Sequence, residues 1–116
     1  MGLMMSGACD CGYETTCSVG SGRVDVRDRC DAPAACDACR RVVTVDLGDA
    51  EMVCPDCDGP VTVYGRVTAD PHRNHVPAVG DWTLHDGRAY VLPTGRHHCP
   101  HCGETRLRFL FIGLWD

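Results

Sequence analysis

The spacing of the cysteines constrains this chain more than any other feature of its sequence. Ten cysteines occur in 116 residues. Eight of them stand in short-spaced pairs, which are Cys9/Cys11, Cys36/Cys39, Cys54/Cys57 and Cys99/Cys102. Three of the pairs have a gap of two residues, and Cys9/Cys11 has a gap of one. A gap of two residues lets one turn present both sulfur atoms to a single metal ion, which is how structural Zn²⁺ sites are built. The four pairs therefore predict two metal sites, each closed by four thiolates.

The two central pairs form the first predicted site, called site A: Cys36, Cys39, Cys54 and Cys57. Fourteen residues separate these pairs, and they include the β-branched run 41–46 and a turn at Gly48-Asp49. That length suffices for one strand and its return. A second β-compatible run, 61–64, follows the site. Because ligand type, spacing and β context agree, we expect site A to be a closed zinc ribbon with no position open for water or substrate.

The first and last pairs form the second predicted site, called site B: Cys9, Cys11, Cys99 and Cys102. Gly12 and Gly103 follow these pairs, and glycine frees the backbone to turn and to point amide groups at the sulfurs. Site B would bring the two ends of the chain together, so that site A lies inside the loop that site B closes. Other potential ligands near these pairs remain alternatives for one position: Cys30, His97, His98 and His101.

Two cysteines, Cys17 and Cys30, lie outside the short pairs. Residues 13–19 and 23–29 are β-compatible and flank a Gly-Ser-Gly turn, which predicts a hairpin. In such a hairpin Cys30 lies near Gly12, and the two thiols do not face each other, so a disulfide between them is disfavoured. We interpret Cys17 as a small buried apolar residue and Cys30 as a loop thiol.

The remainder of the chain is rich in turns and lacks a helical period. This pattern predicts an all-β fold of short hairpins with little or no helix. We expect a single domain over residues 1–116. Within it, residues 32–65 would form an inner zinc ribbon, and residues 9–31 with 82–116 would form an outer zinc ribbon closed by the two chain ends.

Four further segments carry specific expectations. Residues 1–8 are expected to form a tail, and residues 66–81 a connecting loop because they contain three turn-like signals. The dipeptide Asp86-Gly87 predicts a tight turn within a hairpin over residues 82–92. The apolar run 107–112 predicts a buried final strand.

The composition leaves such a fold short of apolar core, because Trp, Tyr and Phe together number seven. Structural zinc can supply the deficit, since it contributes roughly 10 kcal/mol or more of apparent binding free energy in small modules. The chain has no apolar run long enough to span a membrane and no basic start typical of a secretory signal. We therefore expect a cytoplasmic protein, whose reducing surroundings keep thiols available as metal ligands.

The charge of the chain weighs against broad binding to nucleic acids. Its formal net charge is −5, and each four-thiolate zinc centre would add about −2. A domain that binds the phosphate backbone without sequence preference usually carries a basic face. Nucleic-acid or transcription-machinery binding nevertheless stays an alternative, in which the following arginines cluster on one face: Arg23, Arg27, Arg29, Arg40 and Arg41.

The ligand turns resemble those of the zinc-ribbon, or rubredoxin-like, group of small metal proteins. The resemblance rests on the segments Cys36-Asp-Ala-Cys39 with Cys54-Pro-Asp-Cys57, and Cys9-Asp-Cys11-Gly-Tyr with Cys99-Pro-His-Cys102-Gly. The layout also resembles an uncharacterised bacterial zinc-ribbon family with a C-x-C-Gly-Tyr turn at its start and a C-x2-C turn with an apolar strand at its end. This resemblance implies two zinc ions on the eight paired cysteines and no particular activity. Because rubredoxins hold iron with the same ligand type, iron remains an alternative metal.

These observations favour a non-catalytic module that binds a partner protein, for example as an accessory subunit. The alternatives are the nucleic-acid-binding ribbon and an electron carrier with four-thiolate iron. Apolar residues near the end of the chain are candidates for docking: Phe109, Phe111, Ile112, Leu114 and Trp115. Catalysis would need an open metal site, for which the best candidate is His72 and His75 with Asp70 and Asp81, a loop more typical of solvated surface.

Overall fold

A computed structural model describes residues 2–20, 30–48, 52–69, 78–84 and 87–115, and within these ranges the chain is all-β and contains no helix, as the sequence predicts. Accordingly, no described helix is long and apolar enough to cross a membrane. In chain order the strands are β1 (Gly2–Cys9), β2 (Glu14–Val19), β3 (Asp31–Cys36), β4 (Arg41–Asp46), β5 (Thr62–Val63), β6 (Arg66–Thr68), β7 (Ala78–Thr83), β8 (Ala89–Pro93), β9 (His97–His98) and β10 (Thr105–Trp115). They form three antiparallel sheets.

The first sheet has the strand order β2-β1-β10-β9, so that the first and last strands lie side by side at its centre. Strand β1 pairs with β10 from Gly2 opposite Trp115 to Cys9 opposite Leu107. The expectation that residues 1–8 form a tail is therefore wrong. The partner that makes them a strand lies at the other end of the chain, beyond the reach of any local pattern.

Strand β2 confirms the first arm of the predicted hairpin, but its described partner is β1, with Leu3 opposite Val19 and Ala8 opposite Glu14. The predicted second arm, 23–29, lies outside the described residues. After β2, Gly20 forms an isolated antiparallel bridge with Asp31, which links this sheet to the second one.

The second sheet has the order β4-β3-β5 and carries site A. The predicted strand 41–46 is β4, and the predicted run 61–64 contains the shorter strand β5. Strand β3 was not expected from its sequence, yet all of its residues are buried because β4 and β5 flank it. The apolar cluster of this sheet consists of small side chains: Ala34, Cys36, Val43, Val45 and Cys54.

The third sheet has the order β6-β8-β7. The predicted hairpin over 82–92 is confirmed in β7 and β8, with Trp82 opposite Tyr90, although its turn residues 85–86 lie outside the described ranges. The expected connecting loop over 66–81 is partly wrong, because it contains β6 and the start of β7. These short strands form against β8, whose buried residues supply the packing that their own sequence lacks.

The main core lies where the three sheets meet. Its fully buried large side chains include Met5, Tyr90, Leu92 and Leu107. On β10 the burial stops early, because Leu107 and Phe109 are buried whereas the next three residues, Leu110, Phe111 and Ile112, are exposed. The prediction of a buried final strand is therefore correct only for its first part.

Gly20 allows the first and third sheets to approach closely. Its φ of 92° lies in the left-handed region, and a Cβ placed on it would collide with the indole ring of Trp82. Gly87 has nearly the same φ, 91°, but a Cβ there meets no atom of the described residues within 4 Å. Both glycines thus adopt a positive φ, but Gly20 alone of the two packs against a ring.

We expect Gly20→Ala to lower the free energy of unfolding by about 2 kcal/mol more than Gly87→Ala, since both strain the backbone but only the first overpacks the core. Urea unfolding of the metal-loaded proteins measures the difference. Equal decreases in the free energy of unfolding of the two variants would show that Trp82 does not exclude a side chain at position 20.

Candidate metal centres

Site A lies between two turns of the second sheet. The first turn connects β3 to β4 and carries Cys36 and Cys39, and the second carries Cys54 and Cys57. The Sγ atoms of Cys36 and Cys57 are 3.6 Å apart, and those of Cys39 and Cys54 are 3.8 Å apart. All four sulfurs lie within 4.8 Å of one another.

Site B lies at the end of the first sheet, where the two chain ends meet. Cys9 ends β1, and Cys99 and Cys102 lie in the turn between β9 and β10. Sulfur separations are 3.7 Å between Cys9 and Cys102 and 3.9 Å between Cys11 and Cys99. The four Sγ atoms again lie within 4.8 Å of one another.

These separations have the size that a tetrahedral metal site requires. With metal–sulfur bonds of about 2.3 Å, neighbouring sulfurs of a regular tetrahedron lie about 3.8 Å apart. Both groups of four cysteines are therefore positioned to bind a metal ion. Four protein ligands fill the tetrahedron and leave no position for water or a substrate, which is the arrangement of structural rather than catalytic zinc sites.

The four ligand turns share one backbone conformation after their second cysteine. That residue has a positive φ in every case: 98° at Gly12, 56° at Arg40, 59° at Asp58 and 81° at Gly103. The amide groups of Gly12, Asp58 and Gly103 each donate a hydrogen bond to the carbonyl of the first cysteine of their pair, at 3.0, 2.9 and 2.8 Å respectively. The sequence indicates this turn at the two glycines, whereas Arg40 and Asp58 adopt it without that signal.

Backbone amides also point at the sulfurs of site A. The amides of Cys39, Asp56 and Gly59 lie 3.4 Å from the Sγ atoms of Cys36, Cys54 and Cys57 respectively. Such N–H···S contacts stabilise thiolate charge, which a four-thiolate centre carries in excess of its ion. An ion pair between Arg41 and Asp56 joins the two turns of the site.

Each site has an interior side and a surface side. Cys36 and Cys54 of site A are fully buried, whereas Cys57 is exposed. In site B, Cys9 and Cys99 are buried, whereas Cys11 and Cys102 are exposed. The ions would thus lie at the margin of the fold, with the buried sulfurs anchored in the core and the exposed ones facing solvent.

The histidines near site B lie outside its group of four sulfurs. His101 comes closest, with Nδ1 3.9 Å from the Sγ of Cys11, but its ring stacks on Tyr13. His97 Nε2 lies 2.9 Å from the carbonyl of Pro93. The ligand set formed by the geometry is therefore the one with four cysteines.

Cys30 is also remote from site B, so its predicted position near Gly12 is wrong. Its amide donates to Asp46 Oδ1 at 3.1 Å, and its carbonyl accepts a hydrogen bond from the amide of Leu47 at 2.9 Å. This places Cys30 at the end of β4. The error arises because β2 pairs with β1, and the next contact is the Gly20–Asp31 bridge.

Cys17 and Cys30 both belong to the main core, where they are 6% and 5% exposed. This confirms Cys17 as a small buried residue, and Cys30, which lies just before β3 and outside any strand, is likewise buried. Burial raises the pKa of Cys17 to about 12, and burial followed by the charge of Asp46 raises that of Cys30 to about 11. Both thiols therefore stay protonated at neutral pH, which makes them poor nucleophiles.

Hydrogen bonds connect the turns of site A directly to those of site B. His98, next to Cys99, donates from Nε2 to Asp37 Oδ1 at 2.8 Å. Arg40 Nη2 donates to the carbonyl of His101 at 2.6 Å. The sequence did not indicate these partners, because each pair is separated by 61 residues and neither residue type marks a contact by itself.

Two tyrosines add further connections between the sites. The amide of Val42, at the start of β4, donates to the hydroxyl of Tyr13 at 2.8 Å. The hydroxyl of Tyr64 donates to the carbonyl of His98 at 2.5 Å, and the amide of Tyr64 donates to the carbonyl of Pro33 in β3 at 3.0 Å. The second sheet is thereby attached to the residue that precedes Cys99.

The alternative metal site in a loop has only one described member. Asp70, His72 and His75 lie outside the described residues, and Asp81 is exposed on β7.

Among the arginines of the nucleic-acid alternative, Arg40 and Arg41 hold protein partners, and the other three lie outside the described ranges.

Comparison of the chain with protein families, with curated proteins and with solved structures gives no match. The two groups of four cysteines are compatible with several kinds of metal protein, so they do not identify a family either.

We expect Asp58→Gly to stabilise the metal-loaded protein by about 0.5 to 1 kcal/mol, because glycine adopts the positive φ of this turn without strain. Arg40→Gly relieves the same strain but loses the hydrogen bond to His101, so it should stabilise less or destabilise. Urea unfolding of both variants tests this. A loss of stability in Asp58→Gly would contradict the assignment of strain to that position.

Proposed function

We propose that the chain is a non-catalytic module in which two structural zinc ions hold the fold together and an exposed strand binds a partner protein. The observation that carries the first half is the spacing of the sulfurs: two separations in each site lie between 3.6 and 3.9 Å, and all four sulfurs of each site lie within 4.8 Å of one another. Zn²⁺ suits four thiolates without a free position and undergoes no redox change. Free thiols require reducing surroundings, so we place the module in the cytoplasm.

The packing of the second sheet explains why a metal would be needed there. Its apolar cluster contains alanine, valine and cysteine side chains, which bury little area compared with leucine or aromatic residues. Other residues of the sheet, Ala32, Ala35 and Val42, belong to the main core, but side chains of this size offset little of the conformational entropy of three strands and two turns. The ion at site A would supply the missing free energy.

We expect native mass spectrometry of the purified protein to show two zinc ions per chain, and Cys36→Ser to reduce this to one because it removes a ligand of site A alone. Cys17→Ala is the matched control, since Cys17 is buried outside both sites and its loss should leave two ions. Two ions in Cys36→Ser, or iron in protein prepared without oxygen, would contradict the assignment.

The proposed partner surface is the free edge of β10. On one side β10 pairs with β1 from Leu107 to Trp115, whereas on the other side β9 pairs only with Thr105 and Leu107. Beyond them no described strand pairs with this edge. Backbone amide and carbonyl groups that point away from β1 are therefore available to an added strand.

The side chains of this segment are apolar and exposed. The exposed fractions are 66% for Leu110, 46% for Phe111, 50% for Ile112 and 58% for Leu114. A long apolar edge strand of this kind promotes pairing with another chain. A partner that adds a strand would gain main-chain hydrogen bonds from the edge and specificity from the apolar side chains.

We expect Leu110→Asp to abolish capture of the partner from native lysate, because it puts a charge in the middle of the apolar edge. Met52→Asp is the control, since Met52 is an exposed apolar residue away from β10, and it should retain the partner. Both variants should keep two zinc ions. Identical capture by the two variants would show that β10 is not the binding strand.

An iron electron carrier is the alternative that a specific observation supports. Four sulfurs at these separations, with backbone amides directed at them, suit four-thiolate iron as well as zinc. The metal found by mass spectrometry in protein purified without oxygen distinguishes the two.

A further inference from the structure

We infer that the two metal sites are energetically coupled, so that an ion in one site raises the metal affinity of the other. This inference rests on the proposed function, because it takes both cysteine groups as metal sites. It follows from the hydrogen bonds that connect the two sites. In three of them, both partners lie within three residues of a cysteine ligand. In the fourth, Tyr64 connects the second sheet to the residue before Cys99.

The contact of Arg40 depends directly on the conformation of the turn in site A. Arg40 follows Cys39 and has a φ of 56°, which an arginine adopts only when its surroundings enforce it. An ion bound to Cys36 and Cys39 holds this turn closed. With the turn in this conformation the guanidinium lies 2.6 Å from the carbonyl of His101, the residue before Cys102. Relaxation of the turn to negative φ would redirect the side chain and break this bond.

His98 is held by two groups that belong to the second sheet. Its ring donates to Asp37, the neighbour of Cys36, and its carbonyl accepts a hydrogen bond from Tyr64. Asp37 is exposed, but Tyr64 is only 5% exposed, so the bond from Tyr64 is largely shielded from water. Because His98 immediately precedes Cys99, these contacts fix the backbone that delivers a ligand of site B.

Tyr13 completes the connection on the other half of site B. It lies two residues after Cys11, accepts the amide of Val42 at 2.8 Å and stacks on the ring of His101 with centroids 5.5 Å apart. Both turns of site B are therefore attached to residues at the ends of the first turn of site A. Ordering either site removes part of the conformational freedom that the other must lose when it binds its ion.

Linkage requires the effect to be reciprocal and of equal size in both directions. Coupling between two sites in one protein commonly changes an affinity about 5- to 150-fold. We expect a change of about tenfold here, because the contacts are few but some are buried.

The experiment uses the full chain with Cd²⁺ as the probe ion, because cadmium NMR gives a separate resonance for each four-thiolate site. Cys57→Ser and Cys102→Ser empty site A and site B in turn and assign the resonances. Competition with a chelator then measures the affinity of site B with site A filled, in the wild type, and with site A empty, in Cys57→Ser. We expect about tenfold weaker binding in Cys57→Ser and the same factor for site A in Cys102→Ser.

A second pair of variants keeps all eight ligands. Arg40→Ala and Asp58→Ala change equivalent positions, with φ values of 56° and 59°, but only Arg40 contacts site B. We expect Arg40→Ala to weaken Cd²⁺ binding at site B several-fold and Asp58→Ala to leave it unchanged. If Cys57→Ser fails to fold, this comparison decides the question alone.

Equal affinity of site B in the wild type, in Cys57→Ser and in both alanine variants would overturn the coupling while leaving two metal sites in place. Failure of the wild-type chain to bind two ions would instead overturn the proposed function. The two failures are therefore distinguishable in the same titration.

Discussion

The meeting of β1 and β10 at site B is the constraint on which most of this structure depends. The pairing runs along the full length of β1 and ends with Cys9 beside Leu107, directly at the metal-binding group. Sulfur contacts at this point join residues 93 and 88 positions apart in the chain. The first sheet, the main core around Met5 and Leu107, and the position of β9 all require this closure.

The two remaining sheets attach to this frame in different ways. The second sheet connects through the Gly20–Asp31 bridge and the hydrogen bonds between the ligand turns. The third sheet packs Trp82 against Gly20 and places Gly80 against Met5. Small residues at these contacts let the sheets approach closely, and small residues also leave little area to bury. Close packing and a small buried apolar area are thus two results of the same composition.

The ligand groups and β4 could be predicted because their signals are local. The short segment between two cysteines of one turn keeps their sulfurs close together, and the Val-rich run of β4 favours an extended strand whatever surrounds it. Strands β1 and β3 could not be predicted in this way. The sequence Asp-Ala-Pro-Ala-Ala-Cys of β3 has little intrinsic preference for a strand, and it becomes one because β4 and β5 pair with it on both sides.

The positive φ values of Arg40 and Asp58 follow from the geometry of their turns rather than from the preferences of these residue types. The exposure of Leu110 to Ile112 likewise depends on which strands cover β10, and the hydrophobic pattern of the sequence does not contain that information.

The closure of the chain ends also sets the order in which the protein can form during synthesis. All of site A lies in the first half of the chain, so its ligands leave the ribosome together and can bind an ion while translation continues. Among the described strands β1 is made first, yet its partner β10 is made last. The nascent chain can pair β1 with β2 early, but the other edge of β1 stays unpaired until β10 has been made, and contacts so distant in sequence are slow to form. An ion bound early at site A would order the turn of Asp37 and Arg40 before the last part of the chain is made, so that His98 and His101 would meet partners already in place.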